Sequence, residues 1–250
     1  MLLYQRYKAL ERKPFLKSNL RSKRSLMSRV YFFGDSLTFG TGCTPDEEYY
    51  HKYGGPEKKL WPDIVSEYFK SAKFNKAQPG VTTETILDQF YSSYSDIIPD
   101  VMRVVLFKGY YDRIDLVSTT GDLRVLHHYG TNRDDSYNDQ YFTIEELELI
   151  SKYGTRFLMD NPSRIRMYEQ TFQYISNSLD KMGIEHIIWE SGELDPLYKL
   201  NRNNRLTISR ATDGEMIDGH FSYEGHKIFA EWIIEKFNDK YKYKKTKLVL

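Results

Sequence analysis

A single cysteine, Cys43, is all that this 250-residue chain contains. One thiol cannot close an internal disulfide, so the fold must rest on its core, and the composition favours a reducing compartment. Apolar runs of the roughly 20 residues needed to cross a bilayer are also missing. The amino-terminal stretch MLLYQRYKALERKPFLKS is charged throughout and lacks the apolar centre of a secretory leader. These absences predict a soluble protein, cytoplasmic or virion-associated, with neither signal peptide nor transmembrane segment. The chain shows no internal repeat and no low-complexity tract. Gly-Thr-Gly-Cys at 40–43 lacks the lysine of a phosphate-binding loop, and no Gly-x-Gly-x-x-Gly follows a strand, so nucleotide binding finds no support.

What is present is 40% hydrophobic and 28% charged, enough to bury the core of one α/β domain with an added arm or cap. The net charge of +1 conceals an uneven distribution. Residues 1–29 carry nine Lys and Arg against one acid, Glu11, so the rest of the chain is net acidic. The pattern divides the chain into a basic arm at 1–28, a domain at 29–240 with an insertion at about 114–160, and a basic tail at 241–250. The arm has the charge to touch nucleic acid or an anionic membrane; a disordered leader is the plainer reading. A start at Met27 would open directly into the first strand.

Along the domain, strand and helix signals alternate. RVYFF is β-branched and aromatic, too short for a helix, and stops at Gly34. LWPDIVSEYFKSA repeats its apolar residues at helical spacing. KFNKAQ is a short strand ending at Pro79-Gly80, TTETILDQFYSSYSDII a helix with a Thr cap, and RVVLFKG a strand over Arg103–Gly109. PSRIRMYEQTFQYISNSLDKMG has proline at its start, glycine past its end and one apolar stripe. EHIIWES follows as a strand, and SYEGHKIFAEWIIEKFNDKY as a last amphipathic helix. This alternation predicts a mostly parallel sheet covered on both faces. Residues 114–160 are long, polar and Tyr-rich, and they follow a strand's carboxyl end, which suits a lid over a site.

Two stretches carry chemistry. In VYFFGDSLTFG, Ser36 lies just past a strand, where open α/β sheets bind ligands; alone, Gly-Asp-Ser is equally a turn. In DGHFSYEGH, Asp218 and His220 sit two apart in a loop before the last helix. A serine hydroxyl needs a base, and an imidazole needs a carboxylate to fix its tautomer, so the two stretches supply a nucleophile and its partners. His226 reads as a helix-start residue packing on that loop. Cys43 reads as a packed thiol. His127, His128, Asp134 and Asp135 match no metal-ligand spacing and read as a solvated loop. The abundant tyrosines suit stacking on sugar rings and ordinary packing alike.

GDSLTFG near the start and D-G-H-F-S-Y-E-G-H near the end resemble the first and last blocks of the SGNH, or GDSL, hydrolase superfamily. Gly80 in AQPGVTT matches that family's second-block glycine, and Gly109 and Asp112 in LFKGYYD match its third block. The resemblance implies a flavodoxin-like three-layer α/β/α sandwich and a serine esterase without metal or cofactor. Ser36 would attack the ester carbonyl, His220 act as base and Asp218 as its partner, with Asp35, Gly109 and Asp112 beside the site. The oxyanion would be held by the Ser36 and Gly80 amides and by a third-block side chain. Two departures stand out. Tyr111 occupies the third-block position of the family's Asn, leaving Arg113, Asn132 or Asn138 as substitutes, and Asp-x-His replaces the commoner Asp-x-x-His. The polar, Tyr-rich insertion favours a small acyl group, such as acetyl, on a carbohydrate or other polar scaffold. A weakened member that binds a glycan or partner, and a lysophospholipase or thioesterase, are the alternatives.

Overall fold

The computed structural model describes residues 28–41, 43, 59–94, 97, 102–111, 113–117, 123–127, 161–194, 207–209, 217–221 and 223–246, with single positions at 143, 145, 149, 152 and 153. Residues 1–27 of the basic arm, most of the insertion and the last four residues lie outside these. So do His128, Asn132, Asp134, Asp135 and Asn138.

Chain order runs β1 (Arg29–Phe33), α1 (Ser36–Phe39), α2 (Trp61–Tyr68), β2 (Ala72–Asn75), α3 (Thr83–Ser93), β3 (Met102–Phe107), β4 (Arg113–Val117), β5 (Leu123–His127), α4 (Pro162–Lys181), β6 (Glu185–Trp189), β7 (Thr207–Ser209), β8 (Ile217–Phe221) and α5 (Tyr223–Thr246). β1, β2, β3 and β6 form a four-stranded parallel sheet in the order β2-β1-β3-β6. Counting only its strands, that order is 2-1-3-4, the flavodoxin-like winding that reverses direction between β1 and β3.

Alternation along β1 builds the layers. Phe32 meets Trp61 of α2 edge to face at 5.1 Å, and Trp61 meets Phe229 of α5 at 4.9 Å. Phe33, one residue on, points to the opposite side and meets Phe90 of α3 at 5.5 Å. Successive side chains leave a strand on opposite faces, so one dipeptide seeds both halves of the core. Arg164 of α4 pairs with Glu84 of α3 at 3.0 Å, placing α4 beside α3. The three-layer α/β/α sandwich is therefore built as expected. Phe32, Phe33, Phe107, Trp189 and Phe229 are almost fully buried, each worth about 1.5–3 kcal/mol of transfer free energy.

Helix starts follow local chemistry. Thr82 caps α3 by accepting from the Thr85 amide, and Asn161 caps α4 by accepting from Ser163 with Pro162 at the first turn. Three elements differ from expectation. The insertion holds an antiparallel pair, β4 with β5; Ile114 and Leu116, like Leu123 and Val125, alternate with other residues at strand period, a signal hidden by the polar surroundings. Asp218 and His220 lie on a strand, β8, paired antiparallel with β7, and not in a loop. Finally, α5 continues to Thr246, past the boundary expected at 240, because Lys-rich sequence is good helix former and suits a helix C-terminus.

Candidate functional site

Ser36 owes its place to three residues around it. Gly34 lets β1 turn sharply, for a Cβ there would meet the Thr38 side chain and come within 3.2 Å of Phe107 Cβ. Asp35 then caps α1, its carboxylate accepting from the Leu37 amide at 3.0 Å. Gly40, with φ of 97°, ends the helix in the left-handed region that glycine favours. From outside, Trp61 Nε1 donates to Leu37 O at 2.9 Å and Asn75 Nδ2 to Thr38 O at 3.0 Å. The single turn is thus held by α2 on one side and the end of β2 on the other.

This turn sits at the carboxyl ends of β1 and β3, at the reversal of winding where doubly wound sheets take ligands. Ser36 is 8% exposed. Among the described residues, neither its hydroxyl nor its amide is given a hydrogen-bond partner. Gly80, with φ of 69°, lies in the turn after β2, and its amide has no partner among them either. Gly109, φ 83°, follows β3. A Cβ at Gly109 would come within 2.7 Å of Thr83 Oγ1 and 3.1 Å of Thr83 Cα. Gly109→Ala is therefore expected to cost about 1–3 kcal/mol, combining a strained backbone with displaced Thr83. A lower urea midpoint at unchanged slope would register it.

β8 closes the site from the far end of the chain and packs against α1. Its last residue, Phe221, stacks on Phe229 at 5.0 Å and meets His226 edge to face at 5.5 Å. Cys43, buried as expected, donates through Sγ to Phe221 O at 3.5 Å, and Tyr223 Oη donates to Cys43 O at 3.2 Å. His220 is half-buried and close enough to Asp35 and His226 to lower the pKa of both electrostatically. Asp218 stands two residues before it on the same strand.

His226 is buried in the first turn of α5, where Nδ1 accepts from the Trp61 amide at 3.4 Å, as expected of a packing residue. Burial, aided by His220, pushes its pKa down to about 3. The unfolded chain takes up a proton near pH 6.5 that the folded ring refuses until about pH 3. Stability from His226 is therefore full above pH 6.5 and is lost progressively as pH falls towards 3. Urea midpoints at pH 7 and pH 4.5 should fall less steeply in His226→Gln than in wild type.

Asp35 is fully buried. Burial raises its pKa, opposed chiefly by Arg113, whose Nη1 lies 3.2 Å from Asp35 Oδ2 and also donates to Val81 O at 3.2 Å. The Arg113 guanidinium stacks over Tyr110 at 4.2 Å. The backbone around it is clamped by Arg164, which donates to Tyr111 O at 2.9 Å and to Arg113 O at 2.6 Å.

Tyr111, at the position where the resemblance would want an Asn donor, commits its hydroxyl elsewhere: it donates to Glu169, and its ring stacks on Tyr168 at 5.6 Å. Burial and the Glu169 carboxylate both push its pKa far up, so the proton stays on the phenol. Lys108, next to Gly109, holds Glu169 at 2.9 Å and Glu190 at 3.0 Å. Burial alone would raise the Glu169 pKa, but the Tyr111 and Lys108 hydrogen bonds outweigh it and hold it low. This polar cluster at the ends of β3 and β6 joins residues far apart in the sequence, with Lys108 beside Gly109 as its one local sign. Asp112 lies outside the described residues. Among the described residues, no group of three or more His, Cys, Asp or Glu could hold a metal ion, and no helix is long and apolar enough to cross a membrane.

Comparison with known proteins finds no matching family model and no matching curated relative. Solved structures do match, among 27 chains. One is a lipolytic protein of the G-D-S-L family from Veillonella parvula, 15% identical, covering 83% of this chain and 96% of that one at a TM-score of 0.36. A lipase/acylhydrolase from Enterococcus faecalis is 19% identical over 86% of this chain and 97% of that one, TM-score 0.38. An acetyl xylan esterase from the rumen bacterium Butyrivibrio proteoclasticus is 13% identical over 85% and 64%, TM-score 0.39. Likeness this distant leaves the chemistry to be read from the residues of the site.

Proposed function

We propose that this chain is a serine ester hydrolase working through an acyl-enzyme at Ser36. The observation that carries the reading is a serine with an uncommitted hydroxyl at the β1/β3 reversal, held in a braced turn against which β8, the strand carrying His220, packs. In the proposed course, Ser36 Oγ attacks the ester carbonyl as His220 takes its proton. The Ser36 and Gly80 amides stabilise the oxyanion. Collapse expels the alcohol, which leaves with the proton from His220. Water, deprotonated by His220, then cleaves the acyl-enzyme and frees the acid. Asp218 steadies the imidazole throughout.

The polar cluster of Lys108, Glu169, Glu190 and Tyr111 at the same end of the sheet supports a substrate with a polar scaffold carrying a small acyl group, such as acetyl. A second reading, a weakened enzyme that binds a glycan through this cleft, is favoured by the commitment of the Tyr111 hydroxyl to Glu169. A fluorophosphonate probe followed by peptide mapping separates the two. Label on Ser36, with p-nitrophenyl acetate hydrolysed faster than the octanoate, supports the small-acyl hydrolase. A faster octanoate redirects the reading to lipid or thioester substrates. No label under conditions that mark a control esterase would sink the hydrolase.

A further inference from the structure

Arg113 sits in a peculiar position for a site that lacks the expected side-chain donor at Tyr111. Its Nη1 contacts Asp35 Oδ2 and Val81 O, each at 3.2 Å. Asp35 is the residue before Ser36, and Val81 is the residue after Gly80. One nitrogen therefore ties together the two chain segments whose amides are the proposed oxyanion donors. The Arg113 side chain is only 14% exposed and its guanidinium stacks over Tyr110, while Arg164 fixes the carbonyls of Tyr111 and Arg113 itself. Arg164 is in turn held by Glu84 of α3. The chain of contacts runs from a helix on one face of the sheet to both turns of the site.

We infer that Arg113 is a positioning residue that sets the spacing between the Ser36 and Gly80 amides, and so the geometry of the oxyanion hole. This rests on the hydrolase reading above. A hole made of two backbone amides, with no third donor from Tyr111, depends wholly on how those amides are spaced. Misplacement of about 1 Å in such a constellation costs on the order of 100-fold in rate. A lysine at 113 would neutralise Asp35 but, without a planar guanidinium stacked over Tyr110, would not hold its nitrogen fixed between the two acceptors.

The test separates bridging from mere charge balance. Arg113→Met should lower kcat for p-nitrophenyl acetate about 10- to 100-fold with KM within about 3-fold, and should lower the urea midpoint because Asp35 is left buried and unpaired. Asp35→Asn/Arg113→Met removes both charges yet keeps an oxygen to cap Leu37. It should regain much of the urea midpoint while kcat stays low, and Arg113→Lys should recover only part of kcat. Recovery of kcat together with stability in the double variant would overturn the inference, for Arg113 would then serve only to balance Asp35. So would an active wild type with an unimpaired Arg113→Met. A wild type that neither hydrolyses nor labels overturns the hydrolase reading itself, and the positioning role with it.

Discussion

Ser36→Ala is expected to lower the hydrolysis of p-nitrophenyl acetate by on the order of 10,000-fold or more and to abolish fluorophosphonate labelling, with His220→Ala close behind. Both act on one step: without the hydroxyl there is no acyl acceptor, and without the imidazole the hydroxyl keeps its proton. The double variant should be no worse than Ser36→Ala, since removing either member disables the unit. What survives should come from the amides of Ser36 and Gly80, which position the carbonyl for attack by water. Ser36 is small and only slightly exposed, and its hydroxyl bonds no described residue, so alanine should leave the unfolding free energy from urea melts within about 0.5 kcal/mol of wild type. Loss of activity at unchanged stability is the signature. Full hydrolysis by Ser36→Ala would place the reaction elsewhere, and the site would lose its claim.

Trp61→Ala is the substitution expected to cost the fold most, about 3–5 kcal/mol. That is a large share of the 5–15 kcal/mol by which domains are usually stable. Trp61 is fully buried at the start of α2, edge to face with Phe32 of the sheet and Phe229 of α5. Its indole N–H holds Leu37 O, and its amide meets His226. Trp61→Phe separates packing from bracing. Phenylalanine fills much of the space but leaves Leu37 O without its donor, a loss of about 1–3 kcal/mol for a buried group. The braced turn should loosen, so kcat should fall by more than the unfolded fraction accounts for. Urea melts with kcat measured in parallel decide this; a destabilised Trp61→Phe of unaltered kcat would show that α1 needs no such brace.

How much of this is legible in the sequence depends on the range of the interaction concerned. β1, β3 and β6 announce themselves as short β-branched and aromatic runs, and α4 as a stripe between Pro162 and Gly183. Those signals are local, as are the caps at Thr82 and Asn161. Ser36 and His220 stand in short stretches that alone read as turns, and only the packing of β8 on the turn of Ser36 brings those stretches together. The strand character of β8 cannot be read locally: Asp-Gly-His is poor strand sequence, and it is the pairing with β7 that extends it. The bond from Tyr111 to Glu169 spans 58 positions and that from Arg113 to Asp35 spans 78. Each joins side chains that are unremarkable in their own neighbourhoods. Tyr111 reads as a candidate donor to a site until the distant carboxylate that claims its hydroxyl is seen.

The hydrogen bond between Trp61 and His226 crosses 165 positions, and the one between Cys43 and Phe221 crosses 178. Ser36 is translated well before the residues that finish bracing its turn. During synthesis the β1 and β3 strands can pair long before β8 and α5 exist, yet the turn at Ser36 then lacks the elements that pack on it. The turn is therefore completed as a late event in biogenesis, after the sheet that presents it.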